Sequence, residues 1–289
     1  MKWESVNPAP GVYDWTAADA LIANAEANGQ VVRGHTLLWH NQLPTWLTEG
    51  NYSAEELRAI LENHVKTVVS HFAGDIYQWD AVNEIFDDNG VLRETIFSQA
   101  YEELGLPGEQ YIADVFRWAH EADPEALLFY NDYNLEFTGA KSNAAYDFVQ
   151  DLLAAGVPIQ GVGFQGHLDT QYGFPDLQNN LQRFADLGLE VSLTEVDIRT
   201  FVTQKKNGEY TNTPADPAEA AEQIDWWART LEACLAVEAC NSYTVWGVSD
   251  ANSWIPGWFT GQGAGLLYDE HNNPKPQYNA LREVLRNAV

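Results

Sequence analysis

What most constrains this chain is an alternation. Short apolar runs rich in Val, Tyr and other aromatic residues are separated by longer stretches whose apolar residues recur with a helical period. That is the pattern of repeated strand–helix units with parallel strands covered on both faces, and it argues against a sandwich, whose strands alternate polar and apolar residues. The runs predict strands near 31–38, 77–83, 127–131, 161–166, 190–195 and 242–247. Between them, Ser53 followed by Glu56 makes a capping box for a helix running from Ala54 to Phe72 and stopping at Gly74. Asp14 or Thr16 caps a helix that ends at Gly29, and a further helix from Ala140 to Ala155 ends at Gly156. Pro217 suits the first turn of a long helix reaching about Leu235. No low-complexity linker or internal repeat interrupts the 289 residues, so one domain over residues 1–289 is expected.

Charge and composition exclude several function classes. With 42 acidic against 15 basic residues and a net charge of −27, the chain has no basic face on which nucleic acid could sit. No run of eighteen apolar residues exists, which excludes a transmembrane helix and leaves no membrane partner expected. Cys234 and Cys240 are too few for a zinc site and read either as two buried thiols or as a local disulfide.

Polar and aromatic residues collect where the predicted strands end. His35, Trp39 and His40 follow the first, Asn83 and Glu84 the second, and Asn131, Asp132 and Tyr133 the third. Gln165 and His167 follow the fourth, Glu195 and Asp197 the fifth, and Trp246 the last. In a parallel barrel the C-terminal rim is where active sites are built. Glu84 and Glu195 close strands that are otherwise apolar, and a carboxylate is costly there unless paired or used. Two carboxyl groups facing one cleft suit glycosidic bond hydrolysis, one protonating the leaving oxygen while the other attacks or activates water. Tryptophans stack on the CH faces of sugars, and Trp39, Trp246, Trp254 and Trp258 supply such faces. Lys2, Asn83, Gln165 and His167 supply partners for hydroxyls, whereas Trp118, Trp226 and Trp227 lie in helices and read as core.

Other motifs are decoys. Gly161-Val162-Gly163-Phe164-Gln165-Gly166 spells a dinucleotide fingerprint but lies within a strand and opens no helix. His35 and His40 are wrongly spaced for two ligands on one helical face, and Asp87-Asp88-Asn89-Gly90 lacks the glutamate that closes a calcium loop, so a turn is expected. No metal or cofactor is called for.

Ordered motifs along the whole chain carry a more specific likeness. They are Met1-Lys2-Trp3-Glu4, Arg33-Gly34-His35-Thr36-Leu37-Leu38-Trp39-His40, Trp79-Asp80-Ala81-Val82-Asn83-Glu84 and Tyr130-Asn131-Asp132-Tyr133-Asn134. Gly163-Phe164-Gln165-Gly166-His167-Leu168, Thr194-Glu195-Val196-Asp197, Thr244-Val245-Trp246-Gly247-Val248-Ser249-Asp250 and Asn273-Pro274-Lys275-Pro276 follow. At these residues the sequence resembles glycoside hydrolase family 10, the endo-β-1,4-xylanases. The resemblance implies a (β/α)8 TIM barrel that hydrolyses xylan by a retaining double displacement, with Glu84 as general acid/base and Glu195 as nucleophile. It further implies that Asn83 bonds the sugar 2-hydroxyl and that His167 and Asp197 hold Glu195. Lys2, His35, Trp39, Gln165, Trp246 and Trp254 match positions on the non-reducing side of the cleavage point, and Tyr133 matches an aromatic on the leaving-group side. Cys234 and Cys240 stand where many members carry a disulfide, and the expectation is a secreted protein although no signal segment is visible. Xylan and xylo-oligosaccharides are the implied partners. A non-catalytic xylan-binding protein and a related glycanase acting on cellulose or mannan are the alternatives.

One departure stands at the start. Family members carry a first strand, a first helix and most of a second strand before Met-Lys-Trp. Only six full strands are counted here, with Met1 to Trp3 as the end of another. The expectation is an N-terminally incomplete barrel with an open edge, across which the chain self-associates or else is unstable.

Overall fold

Caps and glycines set the element boundaries in the computed structural model, which describes residues 1–288. In chain order these are α1 (Trp3–Val6), α2 (Thr16–Ala27), β1 (Val32–Trp39), α3 (Thr45–Thr48), α4 (Ala54–His71), β2 (Ile76–Asn83), α5 (Ile96–Glu103), α6 (Gln110–Ala122), β3 (Leu127–Asp132), α7 (Ala140–Ala154) and β4 (Gly161–Phe164). They continue with β5 (His167–Asp169), α8 (Leu177–Ala185), β6 (Glu190–Gln204), β7 (Tyr210–Pro214), α9 (Pro217–Leu235), β8 (Cys240–Val245), α10 (Ile255–Trp258), β9 (Gln262–Gly263) and α11 (Pro276–Asn287). The chain divides into two compact units, Met1–Asp132 with Asn143–Gly163, and Tyr133–Ser142 with Phe164 onward. All six predicted strands are present, as β1, β2, β3, β4, β6 and β8.

In the first unit the sheet runs β1-β2-β3-β4. β2 lies parallel to both β1 and β3, in a register that sets His35 opposite Asp80, Trp39 opposite Asn83 and Asn83 opposite Asn131. Helix α4 opens on the Ser53–Glu56 capping box and buries Leu61, His64, Val65, Val68 and Val69. Trp79 is fully buried where Gly34 leaves it room, since a Cβ on Gly34 would stand 2.3 Å from the indole. Gly161 does the same under Phe129, at 2.2 Å, so this glycine of the apparent fingerprint serves packing inside a strand. Asp87 accepts from the N–H groups of Asn89 and Val91, which makes the half calcium loop a turn.

The second unit is built around β6, parallel to β5 and β8 and antiparallel to β7 and β9. Asp216 caps α9 through the Ala218 N–H, with Pro217 in the first turn, and the helix buries Trp226 and Trp227. Cys234 at the end of α9 and Cys240 at the start of β8 form a disulfide with Cα atoms 5.3 Å apart. No helix among the described residues is long and apolar enough to cross a membrane.

Several boundaries differ from expectation. Met1 to Trp3 is not a strand end: Lys2 is extended and Trp3 opens α1, because the indole stacks on the buried His64 ring at 3.7 Å while Ser5 and Val6 donate back to the Lys2 carbonyl. The cap of α2 is Trp15, with Asp14 accepting from the Thr16 N–H one residue earlier. The run 161–166 stops at Phe164, since Gly166 turns the chain at φ +77° into the separate strand β5. β6 continues nine residues past its expected end, because Phe201, Val202 and Gln204 find antiparallel partners in β7 and β9.

Candidate active site

The first unit assembles one group of site residues on β1 and β2. Trp79 points to the helical layer, so its neighbours Gln78 and Asp80 point the other way, and both are fully buried. Asp80 is held by the Arg33 guanidinium and by His35, whose Nδ1 lies 2.7 Å away. Lys2 Nζ stands 2.9 Å from His35 Nε2. An ammonium can only donate, so Nε2 accepts and the Nδ1 proton goes to Asp80. Lys2 Nζ also lies 4.0 Å from the centre of the Trp39 ring, and Trp39 Nε1 donates to Glu84 Oε2 at 2.8 Å.

Glu84 itself sits at φ +55°, just past the end of β2. This backbone state is costly for a residue with a side chain and is held from both sides. Its N–H donates to the Asn131 carbonyl at 2.9 Å, and its carbonyl accepts from Arg93 Nε at 3.1 Å. The side-chain amides of Asn83 and Asn131 meet at 2.8 Å, and Tyr130 donates to Asp132 at 2.5 Å. Burial, together with the negative charges of Asp132 and Glu84, keeps the Tyr130 phenol protonated far above its usual range. A cavity of about 270 Å³ opens against Trp39, Asn83, Glu84, Arg93 and Phe97.

The second unit assembles the other group around Glu195 on β6, which is 4% exposed. Its N–H donates to the Gln165 carbonyl at 2.8 Å. The parallel register of β5 and β6 sets His167 opposite Asp197. The His167 ring lies between two carboxylates, Nδ1 3.0 Å from Asp197 and Nε2 3.2 Å from Glu195. Burial disfavours a charged imidazole, but Asp197 and Glu195 outweigh it and push the His167 pKa up to about 10. It is thus an imidazolium at neutral pH, donating from both nitrogens. Trp254 Nε1 donates to Asp197 at 2.7 Å, and its ring stands 5.0 Å from His167, edge to face; Trp246 stands at 6.3 Å. Trp258, 76% exposed, lies 6.5 Å from Trp254. Tyr133 carries the Lys141 ammonium 3.2 Å from its ring centre.

The structure therefore joins Lys2, His35, Trp39 and Glu84 within the first unit, with Asn83 beside them. Gln165, His167, Glu195, Asp197, Trp246 and Trp254 come together within the second. Sequence reasoning missed three charged residues, Arg33, Asp80 and Glu136. Glu136 is buried and accepts from the Gly166 N–H at 2.6 Å. Glu136 stands between Leu135 and Phe137, past the end of β3, so the strand-end signal used for Glu84 and Glu195 does not reach it.

The sequence profile of glycosyl hydrolase family 10 matches residues 1–284. This chain belongs to that family. Family 10 membership makes it a glycoside hydrolase, with the family's (β/α)8 barrel as its fold class. Endo-1,4-beta-xylanase B of Thermotoga neapolitana is 43% identical over 100% of this chain and 79% of its own length. The endo-1,4-beta-xylanase of Agaricus bisporus is 39% identical over 97% of this chain and 79% of its own. Among solved structures, native xylanase 10B from Thermotoga maritima aligns at TM-score 0.90 with 42% identity, covering 99% of this chain and 84% of that one. Xylanase 10B from Thermotoga petrophila in complex with xylobiose aligns at 0.89 with 41% identity, covering 99% and 83%. The expected N-terminal truncation is not supported, because the family profile matches from residue 1 and these relatives are covered over most of their length. The six apolar runs are all strands, and β5, β7 and β9 stand beside them among the described residues.

Proposed function

We propose that this family 10 chain is an endo-β-1,4-xylanase working by retaining double displacement. The observation that carries the reading is the pairing of Glu195 with His167, a buried imidazolium. A carboxylate set against a fixed positive charge suits a nucleophile that must be ionised.

In the first step Glu195 attacks the anomeric carbon while Glu84 gives its proton to the departing glycosidic oxygen, so the C–O bond to the leaving sugar breaks as the glycosyl ester forms. Water then attacks the same carbon and passes its proton to Glu84 as the ester bond to Glu195 breaks. Asn83 takes the 2-hydroxyl, a contact that strengthens as charge develops. Lys2, His35, Trp39, Gln165, Trp246 and Trp254 take the non-reducing side, and Tyr133 the leaving side. Trp246 and Trp254 flanking His167 favour a pentose, which lacks the exocyclic hydroxymethyl group that glucose or mannose would bring. The Cys234–Cys240 disulfide supports an oxidising, extracellular setting.

Reducing-sugar release from soluble xylan, with Glu195→Gln as the blank, tests the reading. Wild-type release that the variant loses is expected, and binding of xylan without release would favour the non-catalytic alternative. Release from cellulose or mannan in place of xylan would favour a related glycanase. Glu84→Ala should cost about 10²–10⁴-fold on xylan yet spare the first step for aryl xylosides with good leaving groups. Equal losses on both substrates would overturn the assigned roles.

A further inference from the structure

The sequence motif after β3 carries a third glutamate, Glu136, which neither step of the mechanism uses. It is 1% exposed, and its environment is built for it. Its Oε1 accepts from the Gly166 N–H at 2.6 Å, and its own carbonyl accepts from Asn180 Nδ2 at 3.0 Å. Burial raises its pKa, opposed by the bond from Gly166 and by the charges of His167 and Lys141. Lys141, 3% exposed, is the same ammonium that lies over the Tyr133 ring.

What Gly166 does next gives the contact its meaning. Gly166 sits at φ +77°, in the turn between β4 and β5. Yet the carbonyl before it, from Gln165, accepts the Glu195 N–H at 2.8 Å, and its own carbonyl accepts the Asp197 N–H at 3.3 Å. His167, the cation between Glu195 and Asp197, is the next residue. One buried carboxylate therefore anchors the peptide from which the nucleophile, its supporting acid and the bridging histidine take their places.

We infer that Glu136 is a positioning residue for the nucleophile, acting through its hydrogen bond to Gly166. This rests on the xylanase reading above. A shift of an ångström in a nucleophile lowers turnover while leaving the binding surface largely intact, so the loss should fall on kcat. Two conservative variants separate reach from charge. Glu136→Gln keeps an acceptor oxygen at the same distance and loses the charge, while Glu136→Asp keeps the charge and withdraws the oxygen by one methylene.

The test is steady-state hydrolysis of xylo-oligosaccharides by wild type and both variants, with cooperative melting checked for each. Glu136→Asp should lose about tenfold or more in kcat with KM within about twofold, and Glu136→Gln should stay within about threefold of wild type. Kcat within twofold of wild type in Glu136→Asp, an equal loss in both variants, a loss confined to KM, or failure of either variant to fold would overturn the assignment. An inactive wild type would instead remove the xylanase reading on which it rests.

Discussion

Glu84, Glu195 and Glu136 carry the same side chain, and different groups meet it in space. Glu84 meets an indole N–H, Glu195 an imidazolium and Glu136 a backbone N–H. His167 makes the difference measurable. Its folded pKa of about 10 lies above its unfolded value near 6.5, so its contribution to stability is fully present below pH 6.5 and is lost as pH rises through 10. Stability should fall across that window with a slope approaching 1.4 kcal/mol per pH unit, roughly, from this group alone. Urea denaturation at several pH values should show a flatter alkaline decline in His167→Gln than in wild type; parallel declines would mean that the histidine is not charged in the native state. Glu84 and Glu195 stand out in the sequence because burying a carboxylate needs a reason. Arg33 and Asp80 were not singled out, because their pairing joins adjacent strands and depends on register.

At the scale of elements, local chemistry predicted well wherever it acts alone. The Ser53–Glu56 box, the Pro217 start and the glycine stops at Gly74 and Gly156 all lie where turn and cap physics puts them. It failed where a partner decides. α1 exists because Trp3 has a ring to stack on, and the length of β6 follows from β7 and β9. The Cys234–Cys240 link joins the end of α9 to the start of β8 across a separation of 6 residues. Closing so short a loop restricts the unfolded chain by about 2 kcal/mol. Reduction, or a Cys234→Ser/Cys240→Ser double substitution, should lower the unfolding free energy by roughly that amount, read from the denaturant midpoint at an unchanged slope. No change on reduction would place the stabilisation elsewhere.

For the molecule as a whole, the net charge of −27 is a repulsion that every folded conformation must carry. Salt screens it within a Debye length of about 10 Å at 0.1 M. Raising ionic strength from about 0.02 to 0.5 M at pH 7 should raise Tm by roughly 2–4 °C, equivalent to about 1 kcal/mol. Near the isoelectric point of 4.3 the same addition should do little, because the acids are then largely balanced. An equal salt effect at both pH values would point to ion binding instead of screening.

By itself the sequence determined the six main strands, the capping box of α4, the proline start of α9 and the placing of Glu84 just past β2. These follow from periodicity, turn chemistry and the cost of a buried charge, all of which act within a few residues. Only the tertiary structure decided that Lys2 donates to His35, that His167 is a cation, that the Gly166 peptide is held by Glu136 and that Trp3 starts a helix. Each depends on groups far apart in the chain meeting within about 4 Å in a medium that water does not screen, and no local pattern records that distance.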